Sequence, residues 1–435
     1  IATTRYKFHD HTPGLYKTTD YGATWTKIDK GIPAEAFTRV VREDDVRRDL
    51  LYAGTERGLF LSWDGGKNWI PFQLNLPRTP ITDLGVHQGN LIAATSGRSF
   101  WILDDLTLLR QHKPDLPALH LYQPTVAYLV NGGSALNAPA PDFTGADTFV
   151  GVNPANGVVL YYQLPELSDS SHVTLEIRDA AGRVIRTLTS RKDSSARSWA
   201  GGPPAPSTLP KAKGLNRFVW DMRHETLPGV PGVYIEASSL AHKAVPGRYR
   251  FTLKQGDKTV ETVGNILPNP LYGIEAATYA EYDAFMTRAE AELAIMHNTV
   301  NRLQDVRTQL TTMLASLPAE ERFAGVRRSA DSLAARLAAW DSAMVSRRTR
   351  AYDDVENYAQ QFTANWMFMV NATESDLPRV NQSSRDRLVE LQTTWQSLKA
   401  RSDAFVGRDI PALNRQLWDL GIGAIRLPQP LRIVP

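Results

Sequence analysis

The spacing of apolar residues divides the chain into a β-rich part and a helical part. Up to about residue 110, short runs such as 38–41 and 58–61 hold β-branched or aromatic residues and are bounded by turns with Gly and Asp. Such runs predict antiparallel strands joined by tight turns. From about residue 276, apolar residues recur every three or four positions instead, which predicts amphipathic helices. We therefore expect a multidomain protein that is mainly β first and then α.

The β-rich part repeats itself along the sequence. Residues 14–20 align with residues 58–64 at an offset of 44, and residues 51–55 recur as residues 91–95 at an offset of 40. A period of about 40–45 residues is typical of the blades of a β-propeller, each a four-stranded antiparallel sheet. The repeats therefore predict a partial β-propeller of about two and a half blades.

Two of the predicted turns carry the same motif, in which a Trp follows spaced hydroxyl, Asp, Gly and Thr or Asn residues. The two copies are Thr18-x-Asp20-x-Gly22-x-Thr24-Trp25 and Ser62-x-Asp64-x-Gly66-x-Asn68-Trp69. In such a turn the Asp accepts hydrogen bonds from backbone amides, and the Gly supplies a positive φ. The Trp is expected to pack between sheets as a large anchor. We therefore predict a structural role for these ten residues.

This motif is the Asp-box, and through it the chain resembles a known family. Residues 1–112 look like the last blades of the BNR/Asp-box, sortilin-like propeller proteins that bacterial genomes often label glycosyl hydrolases. The likeness continues through residues 96–111, 153–154, 158–162 and 214–221. One departure is Asn269-Pro270-Leu271, where the family would have Asp-Pro-Arg. The resemblance implies the C-terminal portion of a secreted or periplasmic protein.

The blade count implies that part of a ring is missing from this sequence. A propeller needs at least about four blades to close, and an open one would expose strand edges. The sequence starts at Ile1 without a Met, a basic segment or an apolar signal core, so we expect an internal start. The remaining propeller blades are then expected from the same precursor or from another chain.

A second β region is predicted at residues 150–268, after a Pro-containing linker at 113–149. Residues 173–178 alternate in period two, turn at 179–182, and return as residues 183–188, which predicts a hairpin. Further strand-like runs follow it in the sequence. We therefore expect an immunoglobulin-like or fibronectin-like β-sandwich.

The remainder is predicted to be an antiparallel helical bundle at residues 275–420, followed by an extended Pro-rich tail at 421–435. Three apolar stripes at three/four spacing define the helices, and they include Leu293, Leu337 and Leu391. The acidic start after Pro318 suits the first turn of the second helix. The tail is expected either to pack on its own chain or to reach a partner.

One part of the helical region is a candidate docking surface for a protein partner. Trp366 and Phe368 lie in an apolar run at 366–370, and Arg347 and Arg348 precede it in sequence. Apolar anchors rimmed by cations are typical of protein interfaces. The alternative is that the same run is the buried middle of the bundle.

Composition restricts the partners and the compartments that remain open. The 435 residues carry 49 Lys and Arg against 46 Asp and Glu, with both signs spread along the chain, so a nucleic-acid partner is not expected. The absence of cysteine excludes disulfides, thiolate nucleophiles and zinc sites built on Cys. No apolar stretch approaches the roughly 18–20 residues of a membrane-spanning helix. We therefore expect no membrane span.

No motif for catalysis or cofactor binding stands out in the sequence. A Gly-rich phosphate loop, a Gly-x-Ser-x-Gly elbow and a His-Glu-x-x-His helix are all absent. His297 lies beside a predicted helical stripe, but position 301 is Asn, which disfavours a metal site there. The sequence therefore predicts no catalytic residue, no metal and no cofactor.

Two functions from different classes fit this pattern. The first is a non-catalytic binding or assembly module, the C-terminal part of a larger Asp-box propeller protein, acting through protein–protein contacts. The alternative is a sialidase-like glycoside hydrolase whose active site lies mainly on blades outside this sequence, with Arg39 or Arg98 contacting substrate. Such a site needs an Arg cluster, a Tyr nucleophile and an acidic pair from several blades. Because so few blades are present, this chain alone is not expected to be an enzyme.

Overall fold

The computed structural model describes residues 1–137, 153–193 and 197–427. The described residues within 1–125, 131–167 and 212–219 belong to one compact unit, which we call the blade unit after the sequence prediction, and the remaining described residues belong to a second, the helical unit. Part of the predicted linker and most of the predicted Pro-rich tail, residues 428–435, lie outside the described residues. The domain boundaries given above stay predictions.

The strands occur in the first two thirds of the chain and the long helices in the last third, in agreement with the order β then α. The strands are β1 Tyr16–Lys17, β2 Thr26–Lys27, β3 Thr38–Glu43, β4 Leu51–Thr55, β5 Gly58–Ser62, β6 Ile70–Pro71, β7 Ile81–His87, β8 Asn90–Thr95, β9 Phe100–Leu103, β10 His120–Leu121, β11 Ala127–Tyr128, β12 Val158–Leu164, β13 Val173–Arg178, β14 Val184–Thr189, β15 Gly214–Trp220, β16 Gly247–Gln255 and β17 Lys258–Leu267. The α-helices are α1 Thr107–Gln111, α2 Ala276–Ser316, α3 Ala324–Met344, α4 Asp354–Asn357, α5 Phe362–Ser375, α6 Gln382–Ala404 and α7 Ile410–Asp419.

The blade unit contains antiparallel sheets made from successive strands. They are the pair β1-β2, the four-stranded sheet β3-β4-β5-β6 and the three-stranded sheet β7-β8-β9, with β10-β12-β15 as a further sheet. The four-stranded sheet is covered on both faces: Tyr52 belongs to the core shared with β7 and β8, while its neighbour Ala53 belongs to a core with Leu15 and Trp69. Alternate residues of one strand thus serve two cores.

Gly54 lets the two larger sheets of the blade unit approach each other. A Cβ atom at this position would lie 2.7 Å from Val40 and 2.8 Å from Ile81, so any larger residue would force the sheets apart. The close approach completes a core whose buried members are Val40, Leu50, Tyr52, Leu59, Leu61, Leu76, Ile81, Leu84, Leu91, Ala93 and Leu106.

The helical unit combines a five-stranded sheet with the helices. Its strand order is β11-β17-β16-β13-β14, in which β11 runs parallel to β17 and the other neighbours are antiparallel. The predicted hairpin is present as β13 and β14. The strands predicted to form one sandwich are divided between the sheet β10-β12-β15 and this sheet, so the sandwich stays a prediction.

The helices share one buried core. Leu293 of α2, Leu337 of α3 and Leu391 of α6 are all buried in it, as their three/four spacing predicts. Helix α3 follows a short 3₁₀ turn at Glu321–Phe323, and α5 and α7 add to the three helices that the sequence indicated. Within the described part of the chain, no helix is both long enough and apolar enough to cross a membrane.

Candidate functional site

The first Asp-box turn holds its carboxylate in a closed set of hydrogen bonds. Asp20 accepts bonds from the backbone N–H of Thr24 at 2.9 Å, from its hydroxyl at 2.6 Å, and from the hydroxyl of Thr18 at 2.8 Å. The amide of Gly22, with φ +95°, donates to the Thr18 oxygen. The bonds from Thr24 and Thr18 lower the pKa of Asp20 to about 2. This carboxylate therefore stabilises the turn and is poorly suited to accept and release a proton near neutral pH.

The second Asp-box turn repeats this geometry with Asn in place of Thr. Asp64 accepts bonds from the backbone of Asn68 at 2.9 Å, from its side chain at 2.8 Å, and from the hydroxyl of Ser62 at 2.8 Å. The amide of Gly66 donates to Ser62 Oγ at 3.0 Å. Burial favours the neutral acid, yet the bonds from Asn68 and Ser62 keep the pKa of Asp64 below its usual range. Both turns thus have the same structure.

The two Asp-box tryptophans differ in environment. Trp69 is 3% exposed and donates its indole N–H to the carbonyl oxygen of Ile28 at 2.5 Å, so it anchors the first hairpin to the four-stranded sheet. Trp25 is 45% exposed. Trp69 is therefore an anchor between sheets, as expected from the motif, whereas Trp25 is not one in this structure.

One face of the sheet β7-β8-β9 carries exposed apolar side chains where β8 and β9 pair. Phe100 is paired with Ala94, and Ile102 with Ile92, so these four side chains share one face. Phe100 is 75% exposed and Ile102 is 60% exposed. The opposite face, which includes Leu91, packs in the core with the four-stranded sheet. We call the first surface, formed by Ile92, Ala94, Phe100 and Ile102, the open sheet face.

The residues predicted to form a docking surface in the helical unit are not all exposed. Trp366 is fully buried and donates its indole N–H to the carbonyl oxygen of Ala289, whereas Phe368 is 71% exposed. Trp366 is thus a core residue and is not available to a partner in this structure.

The two arginines of that prediction have partners within the helical unit. Arg347 forms an ion pair with Asp341 through two nitrogens, at 2.7 and 2.8 Å. Arg348 lies over the ring of Tyr358 at 4.0 Å from its centre. Arg347 also lines a shallow cleft, together with Trp199, Pro231, Gly232 and Arg350.

The residues suggested for a hydrolase are not brought together as a catalytic pair. Arg39 forms an ion pair with Glu56 at 2.6 Å, and Arg98 lies in the exposed turn between β8 and β9. Asp44 is buried and pairs with Arg110 at 3.0 Å. Arg39 and Asp44 therefore act in the fold as members of ion pairs.

A buried cluster of titratable residues lies in the helical unit, away from the Asp boxes. Residues 222–224 and 242–244 pair like short strands, since Ala244 donates to the carbonyl oxygen of Met222 and His224 donates to that of His242. This pairing sets His224 beside His242, with ring centres 3.9 Å apart and planes inclined at 25°. Two short segments thus hold two imidazoles together.

Helix α2 supplies the carboxylates of this cluster. Asp283 and Glu290 are seven residues apart, which places both on the same helix face. His242 approaches Glu290 through Nδ1 at 2.8 Å and Asp283 through Nε2 at 3.4 Å. Its backbone amide also donates to Glu290 at 2.7 Å. Asp283 accepts a further bond from Arg183 at 2.9 Å. The side chain of His242 therefore lies between two carboxylates.

These contacts set opposite protonation states for the two histidines. Burial alone would lower the pKa of His242, but the charges of Glu290 and Asp283 and their hydrogen bonds raise it to about 9. Burial, reinforced by the positive charge of His242, lowers the pKa of His224 to about 3. At neutral pH His242 is therefore a cation and His224 is neutral.

A second ion pair adjoins the histidines. Arg223 donates to Glu374 of α5 at 3.1 Å and to the carbonyl oxygen of Ala241 at 2.6 Å. The hydroxyl of Tyr282, next to Asp283 on α2, donates to the other oxygen of Glu374. The polar cluster thus joins the 222–244 segments to two helices.

Sequence reasoning missed this cluster because its members are far apart in the chain. His297 lies on a helix, where a second ligand is expected one turn away, whereas His224 and His242 come from a region with no regular spacing. In the structure His297 is buried and its Nδ1 lies 2.6 Å from the carbonyl oxygen of Pro228. The one usable signal was the pair Asp283 and Glu290 on the apolar face of α2.

Comparison with known proteins leaves the family open. No family model matches the chain, and no curated protein matches it. Among solved structures, it is similar to the extracellular domain of a protein from B. thetaiotaomicron described as a one-component system, at 11% identity and a TM-score of 0.19. That match covers 59% of this chain and 28% of the other, so the chain spans less than a third of that protein's length. A likeness this distant carries no argument about fold or function.

Proposed function

We propose that this chain is a non-catalytic binding and assembly module, the C-terminal part of a larger Asp-box propeller protein that is secreted or periplasmic. It acts through protein–protein contacts. The observation that carries the proposal is the open sheet face. Its apolar side chains extend across the neighbouring strands β8 and β9, and the opposite face of the same sheet is already packed.

The partner we propose for this face is a further propeller blade, from the same precursor or from another chain. Successive sheets of the blade unit already pack face to face, with the four-stranded sheet covered on both sides. In the sheet β7-β8-β9, strands β8 and β9 carry apolar side chains on both faces, but Phe100 and Ile102 remain in contact with solvent. Covering these two side chains with another sheet would contribute on the order of 3 kcal/mol of apolar burial. A blade is therefore the occupant that continues the existing packing.

The proposal of an Asp-box family rests on the two turns. Both copies form the same set of hydrogen bonds around an Asp, although their sequences differ at two of the five motif positions. Their carboxylates are occupied by turn donors, which supports a structural role. The arrangement of Arg39 and Arg98 offers no support for the glycoside hydrolase alternative.

A paired set of variants tests whether the open sheet face is the assembly surface. Phe100→Thr with Ile102→Thr removes the apolar side chains while keeping residues that suit a strand. The control is Phe368→Thr with Leu271→Thr, which changes two exposed apolar residues of the helical unit. Sedimentation velocity over a range of protein concentrations is the readout, with circular dichroism to verify folding.

In the absence of a further blade, the open sheet faces of two chains are expected to cover each other. We therefore expect the native chain and the control to associate and the Phe100/Ile102 variant to remain monomeric. Association that is unchanged in the Phe100/Ile102 variant would overturn the proposed surface. If the control variant loses association instead, assembly would be assigned to the helical unit. That outcome would agree with the sequence-based prediction of a docking surface at Phe368.

A further inference from the structure

We propose that His224, His242 and Asp283 bind a divalent transition-metal ion of the zinc class. The ligand atoms of these three residues all lie within 4.8 Å of one another. In addition, Nε2 of His224 is buried and has no hydrogen-bond partner. An unpaired buried nitrogen is costly unless something binds it, and its neighbours here are two further metal-ligating groups.

The spacing of the ligand atoms is close to that of a tetrahedral site. Zinc bonds to nitrogen and oxygen of about 2.0–2.2 Å put two tetrahedral ligands about 3.3–3.5 Å apart. Nε2 of His242 lies 3.4 Å from Oδ1 of Asp283, which fits such an edge and is long for a hydrogen bond. Nε2 of His224 lies 3.8 Å from the same oxygen. To complete the set, His224 would have to bring its Nε2 closer to Asp283.

Outer partners already orient two of the three ligands. Glu290 accepts a hydrogen bond from Nδ1–H of His242 at 2.8 Å. With Nδ1 held in this way, Nε2 is directed toward Asp283. Arg183 holds the second oxygen of Asp283 at 2.9 Å. A carboxylate behind a ligating imidazole is the usual arrangement around protein-bound zinc. The remaining tetrahedral position would be open to water.

The donor set indicates which ions would bind. Two imidazoles and one carboxylate, with no thiolate, suit zinc, and cobalt can substitute for it. A metal must lie in the plane of each ligating ring, so His224 has to tilt out of its stack on His242. His224 is the more exposed of the two rings, with 15% of its side chain exposed against 0% for His242. When the metal binds Nε2 of His242, it displaces the proton there, and this proton is released to solvent.

Zinc uptake by the full chain tests the site directly. The chelator-treated protein is dialysed against Zn²⁺ in excess and its metal content is measured. We expect one zinc per native chain, and binding weaker by roughly 100-fold or more in His224→Ala. Glu290→Gln, which alters only an outer partner, should weaken binding by about 10–100-fold. The exposed His87→Ala serves as the matched control and should bind like the native chain.

Co²⁺ provides a readout that does not depend on stability. A tetrahedral cobalt site absorbs strongly in the visible range, so native protein should develop this absorption and His224→Ala should not. Circular dichroism verifies that each variant is folded. No zinc uptake by the native chain, or equal uptake by native chain and His224→Ala, would overturn the proposal. Association through the open sheet face should be the same in His224→Ala, so the two proposals fail separately.

Discussion

Trp366 donates its indole N–H to the carbonyl oxygen of Ala289 at 2.9 Å, and this bond ties α5 to α2. Trp366 is fully buried, while Phe368, two residues later on the same helix, is 71% exposed. The two aromatic residues of one apolar run thus have opposite environments, because residues two apart on a helix point in different directions.

We predict that Trp366→Ala destabilises the helical unit and that Phe368→Ala does not. Replacing a buried Trp leaves a large cavity and costs about 3–5 kcal/mol, and here it also removes the bond to Ala289. An exposed substitution is expected to stay within about 0.5 kcal/mol. Urea-induced loss of helical circular dichroism measures both. Equal shifts of the two unfolding midpoints would show that the burial assigned to Trp366 is wrong.

The Asp-box tryptophans provide a second matched pair. Trp69→Ala should loosen the four-stranded sheet, because Trp69 is buried and bonded to Ile28, whereas Trp25→Ala should have a small effect. Hydrogen exchange of peptides covering β4 and β5 is the measurement. Faster exchange is expected for the Trp69 variant alone. If Trp25→Ala produced the same acceleration, the two boxes would be equivalent anchors.

His297 predicts a pH dependence of stability. Burial lowers its pKa to about 4, while the hydrogen bond to the carbonyl oxygen of Pro228 acts in the opposite direction. The unfolded chain, with a histidine pKa of about 6.5, binds a proton first as the pH falls. The contribution of His297 to the free energy of unfolding is therefore fully present above pH about 6.5. It is lost as the pH falls from about 6.5 to about 4.

The variant His297→Asn, which can still donate to Pro228, isolates this contribution. Between pH 7 and pH 4, the native chain should lose on the order of 3 kcal/mol more than the variant. Urea unfolding of both proteins across that range gives the difference, and the exposed His87→Asn is the control. A pH dependence that is the same in the native chain and His297→Asn would contradict the assignment.

Features that depend on local spacing could be predicted from the sequence. The stripes through Leu293, Leu337 and Leu391 become buried helix faces because helical periodicity is set within a few residues. The bonds around Asp20 and Asp64 form within single turns, so the motif alone specifies them. The propeller and the sandwich stay predictions, since they concern how whole sheets are arranged.

Features that depend on distant segments could not be predicted in this way. Asp283 follows His242 by 41 positions in the sequence, and only the pairing of residues 222–224 with 242–244 brings both histidines to α2. The run at 366–370 was ambiguous because the neighbours of α5, and hence the direction of Trp366, are set by tertiary packing. Burial of a charged residue such as Asp44 likewise depends on Arg110, which is far away in sequence.

The molar mass of the native chain in solution tests the assembly proposal most directly. Size-exclusion chromatography with light scattering, run at several concentrations, compares it with the 48.4 kDa of a single chain. With the open sheet face uncovered, we predict a mass above that value that rises with concentration and returns to 48.4 kDa in the Phe100→Thr/Ile102→Thr variant. A folded native chain that elutes as a single species of 48.4 kDa at every concentration would contradict the account.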